Sequence, residues 1–472
     1  MGTIWQPEMS DHAGPKYKAV VATIRTAIAK GELAVGDKLP PVRDLAWKLG
    51  ITPGTVARAY TILTDETVLK AEVGRGTFVA APEQDKPYIP IEIDPITHNE
   101  NSNGPRDMYR VNLFSPVLPS IGQAELIREL LGQVAQSPAS GVMHYPTRVS
   151  AVPAREAALQ WLSGTPLGPL SGEDIVMTLG GQHGILLVMQ AVLTGRRPTV
   201  LVEELAYPGF RRAAELLRAD VVPVAMDEHG IIPDALEAAA RGCEAQILCT
   251  SPEVHNPTVA STPVSRRKEL VAVARAHDLQ ILEDDCYRMG EDREASYRML
   301  APERGWYVSS IAKTLTPAVR LGFAVAPEGK TSALRRAKEH GFFGLPTPML
   351  DLAALLLADP RVNGLTTRAR EIYGTYIEAA VATLSGYDVK ARPDVPFLWL
   401  TLPYGWRASA FCQAAEAADV PVRPAEEFAG RDARVRHKVR LAINAGVTLE
   451  SFQAALTRLC DLLDNPPEQI SV

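Results

Sequence analysis

From about residue 170 the chain repeats one pattern, a short apolar run without polar alternation, then helical spacing or a turn. The runs are DIVMT, TVLVE, DVVPV, AQILCT, LQILED and WYVSS, separated by helical patterns such as GILLVMQAVL and SRRKELVAVARAH. A strand that is apolar on both faces must be covered on both faces. Helices between such strands supply that cover, which predicts an α/β body on a mostly parallel sheet. In sheets of this kind ligands sit at the carboxyl ends of the strands, so the loops there are the ones that carry chemistry.

Those loops read GGQHG (180–184), ELAYPGF (204–210), SPEVHNPT (251–258), EDDCY (283–287) and SSIAK (309–313). A glycine-rich turn entering a helix offers backbone N–H groups to a phosphate. Tyr207 can stack on a flat ring, and Asn256 can donate to a ring hydroxyl or oxide. Asp284, ending the buried run LQILED, can keep a ring nitrogen protonated, and Tyr287 can reach the same oxide as Asn256. Lys313 can form a Schiff base, because desolvation and neighbouring cations make an amine nucleophilic. Ser310 and Arg320 can hold a phosphate through a hydroxyl and a charge-assisted bond. A phosphate, an aromatic nitrogen, a ring hydroxyl and an aldehyde together describe pyridoxal phosphate.

Each residue also has a plainer reading. Asp284 can be an end-of-strand cap, Asn256-Pro257 and Tyr207-Pro208 ordinary turns, and a lone lysine a surface residue. The weight lies in five loops in the right order, each after a predicted strand. Two rival motifs fail. Ser310-Ile-Ala-Lys313 has the SxxK shape without an accompanying SDN or KTG. PEGKTS (327–332) has alanine, Ala324, where a phosphate loop needs its upstream glycine.

The N-terminal stretch differs in kind. Tyr17, Val20, Val21, Ile24 and Ile28 follow helical spacing, and Gly31 stands where such a helix would stop. In GDKLPPVRDLAWKLGITPGTVARAYTILTDE, Val42 to Leu49 reads as a short helix and Gly50-Ile51 as a turn. Thr52 then caps a second helix with Pro53 at its first position. Val56, Tyr60 and Leu63 make the buried stripe of that helix, leaving Thr55 and Arg58 outward. This is the helix-turn-helix pattern, whose second helix enters the DNA major groove. VLKAEVGRGTFV (68–79) reads as a two-stranded wing with Gly74-Arg75-Gly76 at its tip. The expected DNA contacts are Arg43, Thr52, Thr55, Arg58, Arg75 and Gly76. Residues 81–109, rich in Pro, Asn and charge, read as a linker.

The net charge of −6 hides an asymmetry, with +2 over residues 1–80 and −8 over the remainder. That suits a head that meets nucleic acid and a body that does not. The five scattered cysteines, without a CxxC pair, fit a reducing cytoplasm with neither a disulfide frame nor a zinc site. No apolar run reaches membrane-spanning length, and the first residues lack a signal-peptide pattern, so a cytoplasmic protein without membrane contact is expected.

On the pieces IAKGELAVGDKLPPVRDLAWKLGI, TPGTVARAY and VGRGTFV, residues 17–79 resemble the winged-helix domain of GntR-type transcription regulators. Pro53 stands where that family often has an arginine or similar polar residue, which removes one expected DNA contact. On the five loops, residues from about 110 to 472 resemble fold-type I aminotransferases. The resemblance implies that Lys313 carries pyridoxal phosphate, Asp284 faces the pyridine nitrogen, and Asn256 and Tyr287 face the phenolic oxygen. It implies Ser310, Arg320, Gly181 and Gln182 for the phosphate and Tyr207 for the ring face. Tyr145, in GVMHYPTRVS, matches a tyrosine that reaches the phosphate of a neighbouring subunit. Arg440, in HKVRLAINAG, matches the arginine that clamps a substrate carboxylate, in competition with Arg436 and Lys438. Where the family writes Asn-Pro-Thr-Gly, this chain has Val259.

The combination resembles the MocR-type subfamily of GntR regulators. It implies a winged-helix domain (1–80), a linker (81–109) and an aminotransferase-like domain (110–472), with a large part to about 345 and a smaller C-terminal part over about 346–472. The implied function is transcription regulation, with pyridoxal phosphate or its adduct with an amino compound as the sensed species. Operator DNA and a head-to-tail homodimer are the implied partners. The alternative is a working aminotransferase with a DNA-binding head, and a third reading makes the body a dimerisation platform without cofactor. Steady conversion of a 2-oxo acid would mark the second, and a protein that stays colourless the third.

Overall fold

The structure, a computed structural model, describes residues 5, 16–65, 68–72, 76–80, 110–136, 143–287, 289–290, 293–430 and 437–466. The chain divides into two compact units, Met1–Thr97 and His98–Val472.

In the N-terminal unit the helices are Lys16–Ala29, Val42–Leu49 and Pro53–Asp65. Strands β1 (Leu69–Glu72) and β2 (Gly76–Val79) pair antiparallel, Leu69 opposite Val79. The middle helix ends because Gly50 adopts the left-handed conformation (φ 62°) and turns its N–H back to Ala46 O. Val20, Ile24, Leu45, Val56, Leu63, Leu69 and Val79 fill one core. The Tyr60 hydroxyl, buried beside them, donates to Pro40 O at 2.7 Å, which satisfies the only polar atom of its side chain. These are the elements of a winged helix.

The second unit is built on a seven-stranded sheet. Its strands are β3 (Ile175–Thr178), β4 (Thr199–Glu203) and β5 (Asp220–Val224), followed by a small ribbon of β6 (Met226–Asp227) and β7 (Gly230–Ile231) outside the sheet. Then come β8 (Ala245–Thr250), β9 (Gln280–Asp284), β10 (Gly305–Ser310) and β11 (Gly322–Val325). The spatial order is β3-β11-β10-β9-β8-β4-β5. All the strands read from apolar runs are present, and neighbours from β5 to β10 pair in parallel. The seventh strand, β11, is antiparallel to both of its neighbours. A parallel return needs a crossover element. Only the loop 311–321 separates β10 from β11, so the chain has to come back antiparallel.

The C-terminal part carries a second sheet, entirely antiparallel. It consists of β12 (Val389–Lys390), β13 (Phe397–Thr401), β14 (Arg423–Pro424) and β15 (Lys438–Ala442), ordered β12-β13-β15-β14. Residues 111–117 run along this sheet. Val111 N donates to Asp419 O and Leu113 N to Pro421 O, while Leu113 O accepts from Ala442 N and Val117 O from Ala445 N. Val111 and Leu113 therefore share the C-terminal core with Leu441, Phe452 and Leu456. Helix Thr347–Ala358 instead packs with Ile175, Met177 and Phe323 of the large sheet, so the C-terminal core begins within helix Arg361–Thr383. Among the described residues no helix is long and apolar enough to cross a membrane.

Candidate cofactor and effector site

The antiparallel setting of β11 leaves β3, β4, β8, β9 and β10 running the same way, so their carboxyl ends share one edge. After β3 the chain turns through Gly180 (φ 82°) into helix Gly181–Val192. The Arg320 guanidinium lies over Gly180, 2.8 Å from where a Cβ would stand, and Ser310 Oγ is 3.9 Å from the corresponding point of Gly181. A helix N-terminus, a hydroxyl and a guanidinium thus converge as an anion cradle. A Cβ on Gly181 would collide with Cys286 Sγ. Gly181→Ala is expected to push this loop aside and weaken pyridoxal phosphate binding by roughly 10-fold or more, as overpacking by one methyl costs ~1–3 kcal/mol. An absorbance titration with the cofactor reads it.

Gln182 reaches across to the next loop, its Nε2 donating to Gly209 O at 3.0 Å. Tyr207 stands at the start of helix Pro208–Leu216, its ring 6.1 Å from that of Phe210. Burial pushes its hydroxyl well above the ordinary range, so it stays protonated.

Asn256 is fixed from behind. Glu203, buried at the end of β4, accepts from Thr250 Oγ1 at 2.5 Å and from Ser251 N. His255 Nε2 lies 2.9 Å from Leu205 O, an acceptor, so this nitrogen carries the proton and Nδ1 accepts from Thr258 Oγ1 at 2.6 Å. Asn256 itself is 1% exposed. Its Oδ1 accepts from Arg440 Nη1 at 2.8 Å, while its Nδ2 has no hydrogen-bond partner among the described residues. A buried amide with one end satisfied and the other waiting is what a ring oxide requires.

Val259 adopts φ 68° and donates its N–H to His255 O, closing the turn as the family's glycine would. A branched residue is strained there by ~1–2 kcal/mol. Its side chain is buried against Val254, Phe397 and Trp399, which offsets that cost and ties this loop to the C-terminal sheet.

Asp284 ends β9 with 5% exposure and accepts from Cys286 N at 3.2 Å. Burial raises its carboxyl to about 6. A protonated ring nitrogen placed against it would reverse that shift. Tyr287 packs edge-on against Phe397 at 5.3 Å, and Lys313 Nζ lies 5.7 Å from the centre of the Tyr287 ring. The Lys313 amine is lowered from its ordinary range, first by desolvation and then by the charges of Arg440 and Arg423. Its loop is closed at the base, where Ile311 N donates to Leu321 O. Desolvation and like charge both favour the neutral, nucleophilic amine.

Arg440, on β15, is 1% exposed. Besides Asn256 it donates from Nη2 to Phe114 O at 2.6 Å, and its guanidinium lies between the rings of Phe397 and Phe428, 5.2 and 5.1 Å from their centres. Desolvation lowers its pKa to about 10. Lys438 stands on the same strand only partly buried, and Arg436 lies outside the described residues. Tyr145 stands apart in its contacts. It is 77% exposed, with its ring 5.3 Å from that of Phe343.

Sequence reasoning left out Glu203, His255, Phe114 and Arg423. His255 was visible beside Asn256 in PEVHNPT; the other three are placed by long-range pairing that local pattern does not encode.

In the N-terminal unit Arg43 and Thr52 are exposed, and Thr52 Oγ1 lies 2.9 Å from Thr55 Oγ1. Arg58 stacks its guanidinium on the Tyr17 ring at 4.3 Å. Gly76 opens β2, and Arg75 lies outside the described residues. Trp47, on the first helix of the pair, is 84% exposed, an aromatic surface that the sequence pattern did not single out.

Residues 116–459 match the family Aminotransferase class I and II, and residues 16–79 match bacterial regulatory proteins of the gntR family. The chain belongs to the aminotransferase class I and II family, and its gntR-family head makes it a MocR-type protein. This MocR-type protein is similar to YdeF, an uncharacterised HTH-type transcriptional regulator of Bacillus subtilis, with 25% identity over 463 residues, 98% of this chain and 97% of the relative. It is similar to PdxR, the HTH-type pyridoxine biosynthesis transcriptional regulator of Corynebacterium glutamicum, with 28% identity over 368 residues, 74% of each. Among solved structures it resembles LysN, the alpha-aminoadipate aminotransferase of Thermus thermophilus, with a TM-score of 0.67, 25% identity and coverage of 75% of this chain and 92% of LysN.

Proposed function

We propose that this MocR-type protein is a transcription regulator whose body binds pyridoxal phosphate and an amino compound and whose head binds operator DNA. The observation that carries the reading is the buried Asn256 amide, gripped by Arg440 through Oδ1 and open at Nδ2, beside a desolvated Lys313, in a chain that begins with a winged helix. On this reading Gly181, Gln182, Ser310 and Arg320 hold the phosphate, Tyr207 the ring face, Asp284 the ring nitrogen, and Asn256 with Tyr287 the ring oxide. Tyr145 serves the site of a second copy in a head-to-tail homodimer. Bound there, the cofactor supplies an aldehyde that captures amines and a ring that withdraws electrons.

The chain's own residues do the rest. Lys313 presents a neutral amine, and Arg440 engages a carboxylate by a two-pronged charge-assisted contact. Lys313 belongs to the large part and Arg440 to the C-terminal part, so one ligand held by both favours one arrangement of the two. Coupled to the head through residues 81–109, a bias of ~1–3 kcal/mol changes operator occupancy severalfold. The groups for transamination are also those needed for sensing; the head is what favours regulation.

The test is fluorescence anisotropy of the full-length protein on DNA from upstream of its own gene, with and without pyridoxal phosphate and a panel of amino acids. Severalfold changes in affinity with one amino compound are expected. Unchanged affinity at saturating ligand, together with steady conversion of a 2-oxo acid, would establish the enzyme reading instead.

A further inference from the structure

Arg440 has a neighbour that the proposed chemistry does not use. Arg423 on β14 is directly opposite Arg440 on β15, so the two side chains rise from the same face of the sheet. Arg423 is 8% exposed, and its guanidinium lies 4.0 Å above the Phe114 ring, whose backbone carbonyl is the acceptor for Arg440. Like charges set directly opposite repel, and burial strengthens the repulsion.

Compensation on this face is thin. Glu427 Oε2 is 3.6 Å from Arg423 Nε, beyond hydrogen-bond length, and both of those atoms lack a hydrogen-bond partner among the described residues. Arg440 bonds to two neutral oxygens, the Asn256 amide and the Phe114 carbonyl. Two buried guanidiniums thus share one carboxylate at arm's length. Their shared face of the sheet sets them side by side, and both contribute to lowering the Lys313 amine. A single ligand carboxylate on Arg440 leaves Arg423 still in need of an anion.

We infer that the effector is an α-amino dicarboxylate, with Arg440 taking the carboxylate next to the amine and Arg423 the distal one. This rests on the sensor reading above and adds the class of compound sensed. Arg423 acts as a specificity residue, since a site built to pair a charge rejects the neutral isostere.

The experiment is isothermal calorimetry on the full-length, cofactor-loaded protein with aspartate, glutamate and 2-aminoadipate. Their neutral counterparts asparagine, glutamine and norleucine are run beside them. The wild type, Arg423→Gln and Arg423→Lys are compared. One diacid is expected to bind at least ~10-fold more tightly than its neutral counterpart. Arg423→Gln is expected to bring the ratio of diacid to neutral affinity down toward one, whatever it does to the affinity for neutral amino acids, and Arg423→Lys keeps part of that ratio. A wild type that binds neutral amino acids as tightly as the diacids overturns the inference and leaves the sensor reading standing, whether or not the variants fold. An Arg423→Gln protein that still prefers the diacid overturns it too. If no amino compound binds while pyridoxal phosphate does, the sensor reading falls, and this inference with it.

Discussion

Lys313→Ala is expected to abolish covalent retention of pyridoxal phosphate. After borohydride reduction and unfolding, the wild-type chain should keep the cofactor on the peptide that contains residue 313, and the variant should keep none. The expectation follows from the environment of the amine. It lies over the Tyr287 ring, loses solvation in the site and feels two arginines, all in a loop closed at its base by the Ile311–Leu321 hydrogen bond. Because its pKa is lowered, the amine is deprotonated over more of the neutral range than a solvated lysine with a pKa of about 10.4. Covalent uptake should therefore rise with pH through a midpoint below that value in the wild type and be absent at every pH in the variant. Retention by Lys313→Ala would move the attachment to another residue and remove the basis of the site.

The second large effect is expected from Arg440→Lys. The guanidinium donates at once to Asn256 Oδ1 and Phe114 O from a position buried between two aromatic rings. A single ammonium cannot reproduce that fork or present two parallel donors to a carboxylate. Binding of carboxylate-bearing amino compounds should weaken by roughly 100-fold, since losing a charged hydrogen bond and stranding its partner costs ~1.5–3 kcal/mol. The thermal transition of the body should also fall, because Asn256 Oδ1 and Phe114 O are left buried without donors. Calorimetry and a melting curve read the two effects separately. If ligand binding survived intact, the carboxylate would land elsewhere, with Lys438 the remaining described candidate on that strand.

Much of this molecule is legible in its sequence, for identifiable reasons. Apolar runs between helical patterns read as strands covered on both faces, and they appear as β3, β4, β5, β8, β9 and β10, with β5 at the sheet edge only partly buried. The loops after five of these runs carry the candidate site residues because parallel strands end on one edge. The antiparallel β11 escapes because GFAV is short and wholly buried, so its direction is set by the length of the preceding loop and not by its residues. Arg423 escapes for a stronger reason. It stands on a two-residue strand between Val422 and Pro424, and only its register opposite Arg440 gives it meaning. Val259 was visible as a departure from Asn-Pro-Thr-Gly. Its packing on the C-terminal sheet was not, since Phe397 and Trp399 lie more than 130 residues further along the chain.

The lead-in over residues 111–117 has a mechanical consequence. These residues come first in the body, yet their backbone is stitched to Asp419, Pro421, Ala442 and Ala445 of the C-terminal part. Whatever turns that part must carry residue 110 with it, as a hinge pin carries the strap riveted to its leaf. Phe114 sits within this strap, offering its carbonyl to Arg440 and its ring to Arg423. A ligand that pulls on either arginine therefore pulls on the stretch of backbone from which the chain sets out toward the winged helix. One phenylalanine thus joins both guanidiniums to the backbone that leads back to residue 110.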